Sequence, residues 1–284
     1  MLPGFLLSLR EGLEMALITG IVLGALRKTQ RTHLNRAVWA GVFSAALLSL
    51  VIAIILRYLG AALQGRAEEI FEGLTMLLAA GILTWMIFWM QRQSRSLRGK
   101  LESDVNQAAR SGGWRGLFAL AFISVFREGL ELALFLIAAA ALSESAAPTV
   151  TGAVLGMGLA ILIGWGLFAS TIRLDLRRFF LVTSALLVLF AAGLVAHGVH
   201  ELNEAGLVPP LIEHVWDINY LLDESSFLGQ ILKTLFGYNA NPSLSESLAY
   251  SLYFLLILLG LYLFTRSEHP RNRVFEKNPV SPDQ

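Results

Sequence analysis

The sequence predicts an all-α polytopic membrane protein. It has seven transmembrane helices, arranged as a 3+3 inverted repeat plus one C-terminal helix, with the N-terminus outside and the C-terminus in the cytoplasm. Three observations predict this. Apolar residues make up 55% of the chain and charged residues only 15%, where soluble domains carry about 25% charged. Lys and Arg cluster in alternate connections between the apolar stretches. One charged pentapeptide occurs twice inside those stretches, as Arg10-Glu11-Gly12-Leu13-Glu14 and Arg127-Glu128-Gly129-Leu130-Glu131.

A spanning helix needs about 20 mostly apolar residues. Seven stretches qualify, at roughly 3–26, 37–59, 69–91, 115–142, 150–171, 178–200 and 246–265. The first is not a cleavable signal, since it lacks a basic leading region and carries Arg and Glu within its apolar run. Cationic residues set the orientation. The connections after the first, third and fifth spans and the C-terminal tail hold 17 of the 22 Lys and Arg, including Arg27, Lys28, Arg110, Arg115 and Arg266. The opposite side has only Arg57, Arg66 and Lys233, and Arg10 and Arg127 lie inside spans. One missed span would scramble this bias.

The chain divides accordingly. Residues 1–91 form a first three-helix repeat, 92–114 a cytoplasmic linker, and 115–200 a second three-helix repeat. Residues 201–245 form an acidic outer loop, 246–265 the seventh span, and 266–284 a polar, disordered tail with Pro270, Pro279 and Pro282. The charged motif marks the first and fourth spans. A second echo links the third and sixth, Leu78-Ala79-Ala80-Gly81-Ile82-Leu83 against Phe190-Ala191-Ala192-Gly193-Leu194-Val195. Three helices per unit is an odd number, so the second unit enters the membrane inverted, and such repeats place a substrate site near the midplane. Gly20 and Gly24, and Gly152 and Gly156, are packing devices for close helix approach. The outer loop holds two short amphipathic pieces, read as interfacial or partly re-entrant helices. These are Leu211–Trp216 and a piece starting at Phe227 behind a Ser225-Ser226 N-cap.

The doubled motif carries the chemistry. Charged side chains inside a span are costly, which makes them functional-site candidates. On a helix, Arg and the second Glu lie one turn apart on one face. Four carboxylates and two guanidiniums sum to −2, an excess that a divalent cation neutralises. Oxygen donors and the absence of cysteine favour iron or manganese over soft metals. Arg10 and Arg127 orient carboxylates and temper affinity so that the ion can leave. The metal set is Glu11, Glu14, Glu128 and Glu131 at the centre. Glu72, His197, His200, Glu201 and Glu204 are outer receiving residues, and the acidic loop draws cations in by long-range attraction. Trp85, Met86, Trp89 and Met90 are read as packing residues and interface anchors. A bland alternative, structural ion pairs tying helices together, suits one copy of the motif better than two in an inverted repeat.

At these residues the chain resembles the oxidase-dependent iron transporter family, the Ftr-type high-affinity iron permeases, in its bacterial EfeU branch. The stretch His200-Glu201-Leu202-Asn203-Glu204-Ala205-Gly206-Leu207 and the later Gly237-Tyr238 and Pro242-Ser243 share the likeness. The resemblance implies iron as transported substrate with no permanently bound cofactor, and a multi-pass place in the bacterial inner membrane among its lipids. It implies extracytoplasmic partners that oxidise or deliver iron, a cupredoxin-type component and a haem peroxidase. The outer acid-rich motif of the fungal permeases has no counterpart here. A net charge of +1 gives no reason to expect nucleic acid. Two rivals stay open: a transporter of another divalent cation such as manganese, and an intramembrane di-iron enzyme. The second expects Glu-x-x-His pairs, which neither motif supplies. Inward release by rocking of one repeat, or by carboxylate protonation, is equally open.

Overall fold

The computed structural model describes residues 1–93, 97–143, 145–168, 175–213, 215–220, 222–224 and 226–268. The tail beyond 268 and residues 169–174, which are the end of the fifth stretch and the start of the connection after it, lie outside them. Among the described residues there are nine α-helices and no strand. These are α1 (Leu2–Lys28), α2 (Asn35–Ala62), α3 (Arg66–Gln93), α4 (Leu97–Ser111), α5 (Gly113–Ala141), α6 (Ala146–Phe168), α7 (Leu176–Glu204), α8 (Phe227–Phe236) and α9 (Leu244–Glu268). Among the described residues, five segments are long and apolar enough to cross a membrane: Thr32–Ala62, Arg66–Met90, Ala146–Phe168, Arg178–Glu204 and Leu244–Leu263. Helices α1 and α5 have the length, at 27 and 29 residues, and differ in holding the charged motif.

Helices that are neighbours in sequence are not the main neighbours in space. The dominant pairings are α1 with α6, α2 with α5, and α3 with α7. Each joins a helix of the first unit to one of the second. Small residues make them possible. The face of α6 that α1 covers reads Thr149, Gly152, Gly156, Ala160 and Gly164, all buried. A Cβ on Gly12 would meet Ala160, and one on Gly164 would meet Ala16, so the register rises together and the two helices run parallel. Helices α2 and α5 also run parallel, with Gly41 against Phe118 and Ala121, and Gly129 against Ser49. In α3 and α7, Gly73 and Gly198 each lie against the other's carbonyl oxygen. Large apolar side chains point outward instead, including Phe43, Leu50 and Ile54 of α2 and Ile161 and Leu162 of α6. Packing between membrane helices relies on such close contact, because lipid tails are as apolar as leucine. Gly24 departs from its expected packing role: its α-carbon faces open space.

Two connections differ from the sequence reading. The 92–114 linker carries α4, whose Val105 is buried with Val22, Leu26, Leu117 and Ala121 at the ends of α1 and α5. The segment Leu211–Trp216 is not a helix. Its described residues follow a bent, irregular course beside 240–245, with Val215 N–H donating to Pro242 O at 3.0 Å and Ile218 N–H to Ala240 O at 2.9 Å. Leu244 N–H donates back to Ile212 O at 3.0 Å. Pro209 and Pro210 precede it, and Leu211 has φ +61°, a start from which a helix does not propagate. The second piece is helical as expected. Ser226 Oγ accepts from Gly229 N–H at 3.0 Å, and α8 closes on Gly237 at φ +68°, a left-handed cap suited to glycine. The backbone of Gly237 lies directly on Gly193 of α7. Gly193 is 11 residues from the α7 terminus at Glu204, roughly 16 Å along the helix, so α8 ends beside the middle of α7.

Candidate functional site

The two motifs meet where α1 crosses α5. Leu7 near the start of α1 clusters with Phe135 and Ala138 late in α5, and Val22 and Leu26 near its end cluster with Leu117 and Ala121 early in α5, so the two motif helices run antiparallel. Glu11, Glu128 and Glu131 each offer a carboxylate oxygen to a point where these atoms lie within 4.8 Å of one another, and all three are buried. It is the one group of His, Asp or Glu with ligand spacing among the described residues. Glu14 stands at its margin. Buried oxygens Glu11 Oε2, Glu14 Oε1, Glu128 Oε2 and Glu131 Oε2 have no hydrogen-bond partner among the described residues. Buried polar atoms are normally paired. Three of these acceptors, from Glu11, Glu128 and Glu131 on two helices, belong to the group whose spacing could hold a cation.

The two arginines are held differently. Arg10 is wholly buried. Its Nη1 donates to Glu11 Oε1 at 3.1 Å and its Nη2 lies 3.3 Å from Glu14 Oε1. That second approach gives charge attraction without hydrogen-bond alignment, since Glu14 Oε1 stays unpartnered. The other donor contacts are to sulfur, with Nη1 at 3.1 Å from Met86 Sδ and Nη2 at 2.8 Å from Met90 Sδ. The side chain of Arg127 is 36% exposed. Its Nε donates to Glu131 Oε1 at 2.9 Å, and its guanidinium lies 4.7 Å from the Trp89 ring centroid and 5.4 Å from that of Trp85.

These four side chains of α3 were expected only to pack and anchor. They also hold both motif arginines. The sequence signal was present, since 85 and 89, and 86 and 90, are i, i+4 pairs on adjacent stripes of one helix. Nothing in the sequence says what those stripes face.

The outer residues do not gather with the central ones. Glu72 lines a cavity of about 180 Å³ with Arg57, Glu68 and Thr75 from α2 and α3, and Ile137 from α5. Ile137 is six residues beyond Glu131 on α5, roughly 9 Å away along the axis. Glu201 sits over Gly73 at the crossing of α3 and α7, where the charges of Glu72, Glu204 and Glu69 act on it. His197 is buried and bonds through Nδ1 to its own helix at Gly193 O, 3.2 Å. His200 bridges Glu246 Oε1 at 3.0 Å and Glu204 Oε1 at 3.3 Å. The sequence reading left Glu246 out. Its carboxylate also accepts from Asn239 Nδ2 at 2.8 Å and Ser243 Oγ at 2.8 Å, so it is fully engaged, tying α7 and α9 to the loop. A metal drawn to His200 would compete with that network.

A model of the iron permease FTR1 family matches residues 1–269. The ferrous iron permease EfeU of Yersinia pestis is 38% identical over 266 residues, covering 93% of this chain and 94% of that protein. The proteins of the same name from Escherichia coli O6:K15:H31 and Shigella sonnei are each 37% identical over 265 residues, covering 93% of this chain and 96% of theirs. No solved structure matches the chain.

Proposed function

The chain belongs to the iron permease FTR1 family and is a multi-pass membrane transporter of iron, not an enzyme; from that premise we propose how it holds and passes the ion. Iron binds between Glu11, Glu128 and Glu131, with Glu14 completing the set, near the middle of the bilayer. The observation that carries this is the convergence of three buried carboxylates within 4.8 Å, each keeping an oxygen without a protein partner. The relatives are ferrous iron permeases by name, and an oxygen set of this charge suits Fe(II), whose affinity for such sites is modest enough for release.

Seven helices span the cytoplasmic membrane, α1 to α3 and α5 to α7 as inverted units and α9 alone. The cross-unit pairing supports it, because exchanging the units turns the α1–α6 contact into α5–α2 and leaves α3–α7 unchanged. Parallel α1–α6 and α2–α5 registers with antiparallel α3–α7 are what an alternately threaded chain requires, and the cationic bias of the inner connections gives its N-out sense. Iron comes from the outer side through the Glu72 cavity and down α5 to Glu131. Glu201, Glu204, His197 and His200 act as charge and structure at the outer crossing of α3, α7 and α9. Iron-oxidising or iron-delivering proteins, of the cupredoxin and haem-peroxidase kinds, present it there.

Uptake of Fe(II) into proteoliposomes tests the centre. At equal protein density, Glu131→Gln and Glu11→Gln, made separately, abolish saturable uptake. Wild-type uptake by both overturns the site.

A further inference from the structure

One turn of α3 touches both motif arginines and offers neither of them an anion. Arg10 meets the thioether sulfurs of Met86 and Met90 at 3.1 and 2.8 Å, and Arg127 lies over the rings of Trp85 and Trp89. Thioether sulfur is a weak, uncharged acceptor, and an indole face attracts a cation without taking a proton or a full charge. A buried guanidinium N–H without an acceptor is costly, and Arg10 Nε already lacks one. If α3 gave Arg10 none, the nearest would be the unpartnered oxygens Glu11 Oε2 and Glu14 Oε1. Those oxygens would then be spent on arginine. We infer that Trp85, Met86, Trp89 and Met90 are positioning residues that seat Arg10 and Arg127 on neutral partners, so that the motif carboxylates keep oxygens free for the cation. The inference rests on the central-site reading. It extends that reading to a helix carrying no motif residue, and assigns the thioethers to arginine rather than to iron.

The Met arm decides it more sharply, because Arg10 is wholly buried and water cannot replace the sulfurs. Fe(II) is titrated anaerobically into the full-length protein in detergent, and uptake is measured in proteoliposomes. The double substitution Met86→Leu with Met90→Leu keeps apolar volume and removes both acceptors. Its Kd for Fe(II) rises about tenfold, which is ~1.4 kcal/mol, and the uptake KM rises with it while the maximal rate is unchanged. Met86→Leu with Met90→Gln supplies a neutral carbonyl acceptor at one of the two places and restores most of the affinity. Trp89→Leu gives a smaller rise, since water reaches Arg127.

A double Leu variant with wild-type Kd overturns the inference. So does a weakened one that Gln at 90 fails to rescue, because lost packing then explains the loss. If the double variant does not fold, Met90→Leu alone decides: a raised Kd supports the seat and an unchanged one overturns it. Glu131→Gln is run beside these. If it binds Fe(II) as the wild type does, the central site has failed; if it does not while the Leu pair does, the seat alone has failed.

Discussion

Arg10 and Arg127 occupy the same position of the same pentapeptide and meet different surroundings. Arg10 is fully buried, touches both carboxylates of its own motif, and rests on two sulfurs. Arg127 is more than a third exposed, bonds Glu131, and lies over two indoles. The carboxylates divide the same way. Both Glu residues of the second motif join the converging trio, whereas the first motif contributes only Glu11 and leaves Glu14 under Arg10. A repeated sequence thus fixes which groups are available, and the neighbouring helix decides how each is used. In one copy the arginine closes over both of its own carboxylates. The other is the open half, nearer the Glu72 cavity.

If the halves differ in this way, their acids differ in consequence. Glu128→Gln removes a charged oxygen from the trio. A charged contact of this kind contributes ~1.5–3 kcal/mol, so Fe(II) affinity falls by roughly one to two orders of magnitude. Glu14→Gln, at the margin of the trio, costs only a few-fold. Titration of the two purified variants measures both. Equal losses would erase the asymmetry and return the site to four equivalent ligands.

Stability separates the arginines next. Arg10→Leu strands Glu11 and Glu14 in the interior, and breaking a buried pair costs ~3–5 kcal/mol. Arg127→Leu removes one contact from a group that water reaches, and after screening its effect is about 1 kcal/mol. Thermal unfolding in detergent, followed by tryptophan fluorescence or light scattering, ranks them. An Arg127 variant as unstable as the Arg10 variant would mean that exposure does not distinguish the two sites.

Much of this was legible in the sequence. The all-helical, membrane-spanning architecture came from apolar run length, and the candidate site came from charges that a lipid-facing helix does not tolerate. Of the glycines read as packing devices, Gly20, Gly152 and Gly156 lie at the α1–α6 contact. What was not legible depends on partners distant in sequence. Met86 and Met90 look like filler until Arg10, 76 and 80 positions away, is placed against them. Leu211–Trp216 has helical periodicity, yet its backbone pairs with 240–245, and a periodic pattern cannot announce a competing partner. Helix α4 is polar along most of its length, and the burial of Val105 with Ala108 and Ala109 packed beside it marks it as packed. The cross-unit pairing of α1 with α6 and α2 with α5 is invisible in a hydropathy pattern, which gives the spans and not their neighbours.

The motif glycines offer the finest cut, because here the two halves should agree. A Cβ on Gly12 would come within 2.7 Å of Ala160 Cβ and 3.0 Å of Met157 Sδ; one on Gly129 would come within 2.7 Å of Ser49 Cβ. In each case the obstacle belongs to the helix paired across units. Gly12→Ala and Gly129→Ala therefore each force a crossing apart, at ~1–3 kcal/mol for an overpacked contact, read as a lowered unfolding midpoint. Met157 ends in a flexible thioether and can yield, so the lasting obstacle at Gly12 is Ala160. Removing the obstacle tests the cause: Ala160→Gly should restore Gly12→Ala, and Ser49→Gly should restore Gly129→Ala, while the crossed combinations restore neither. Matched rescue in both halves means that the units share one packing rule beneath their different charge environments. Rescue in one half alone means that the crossings have diverged along with the arginines.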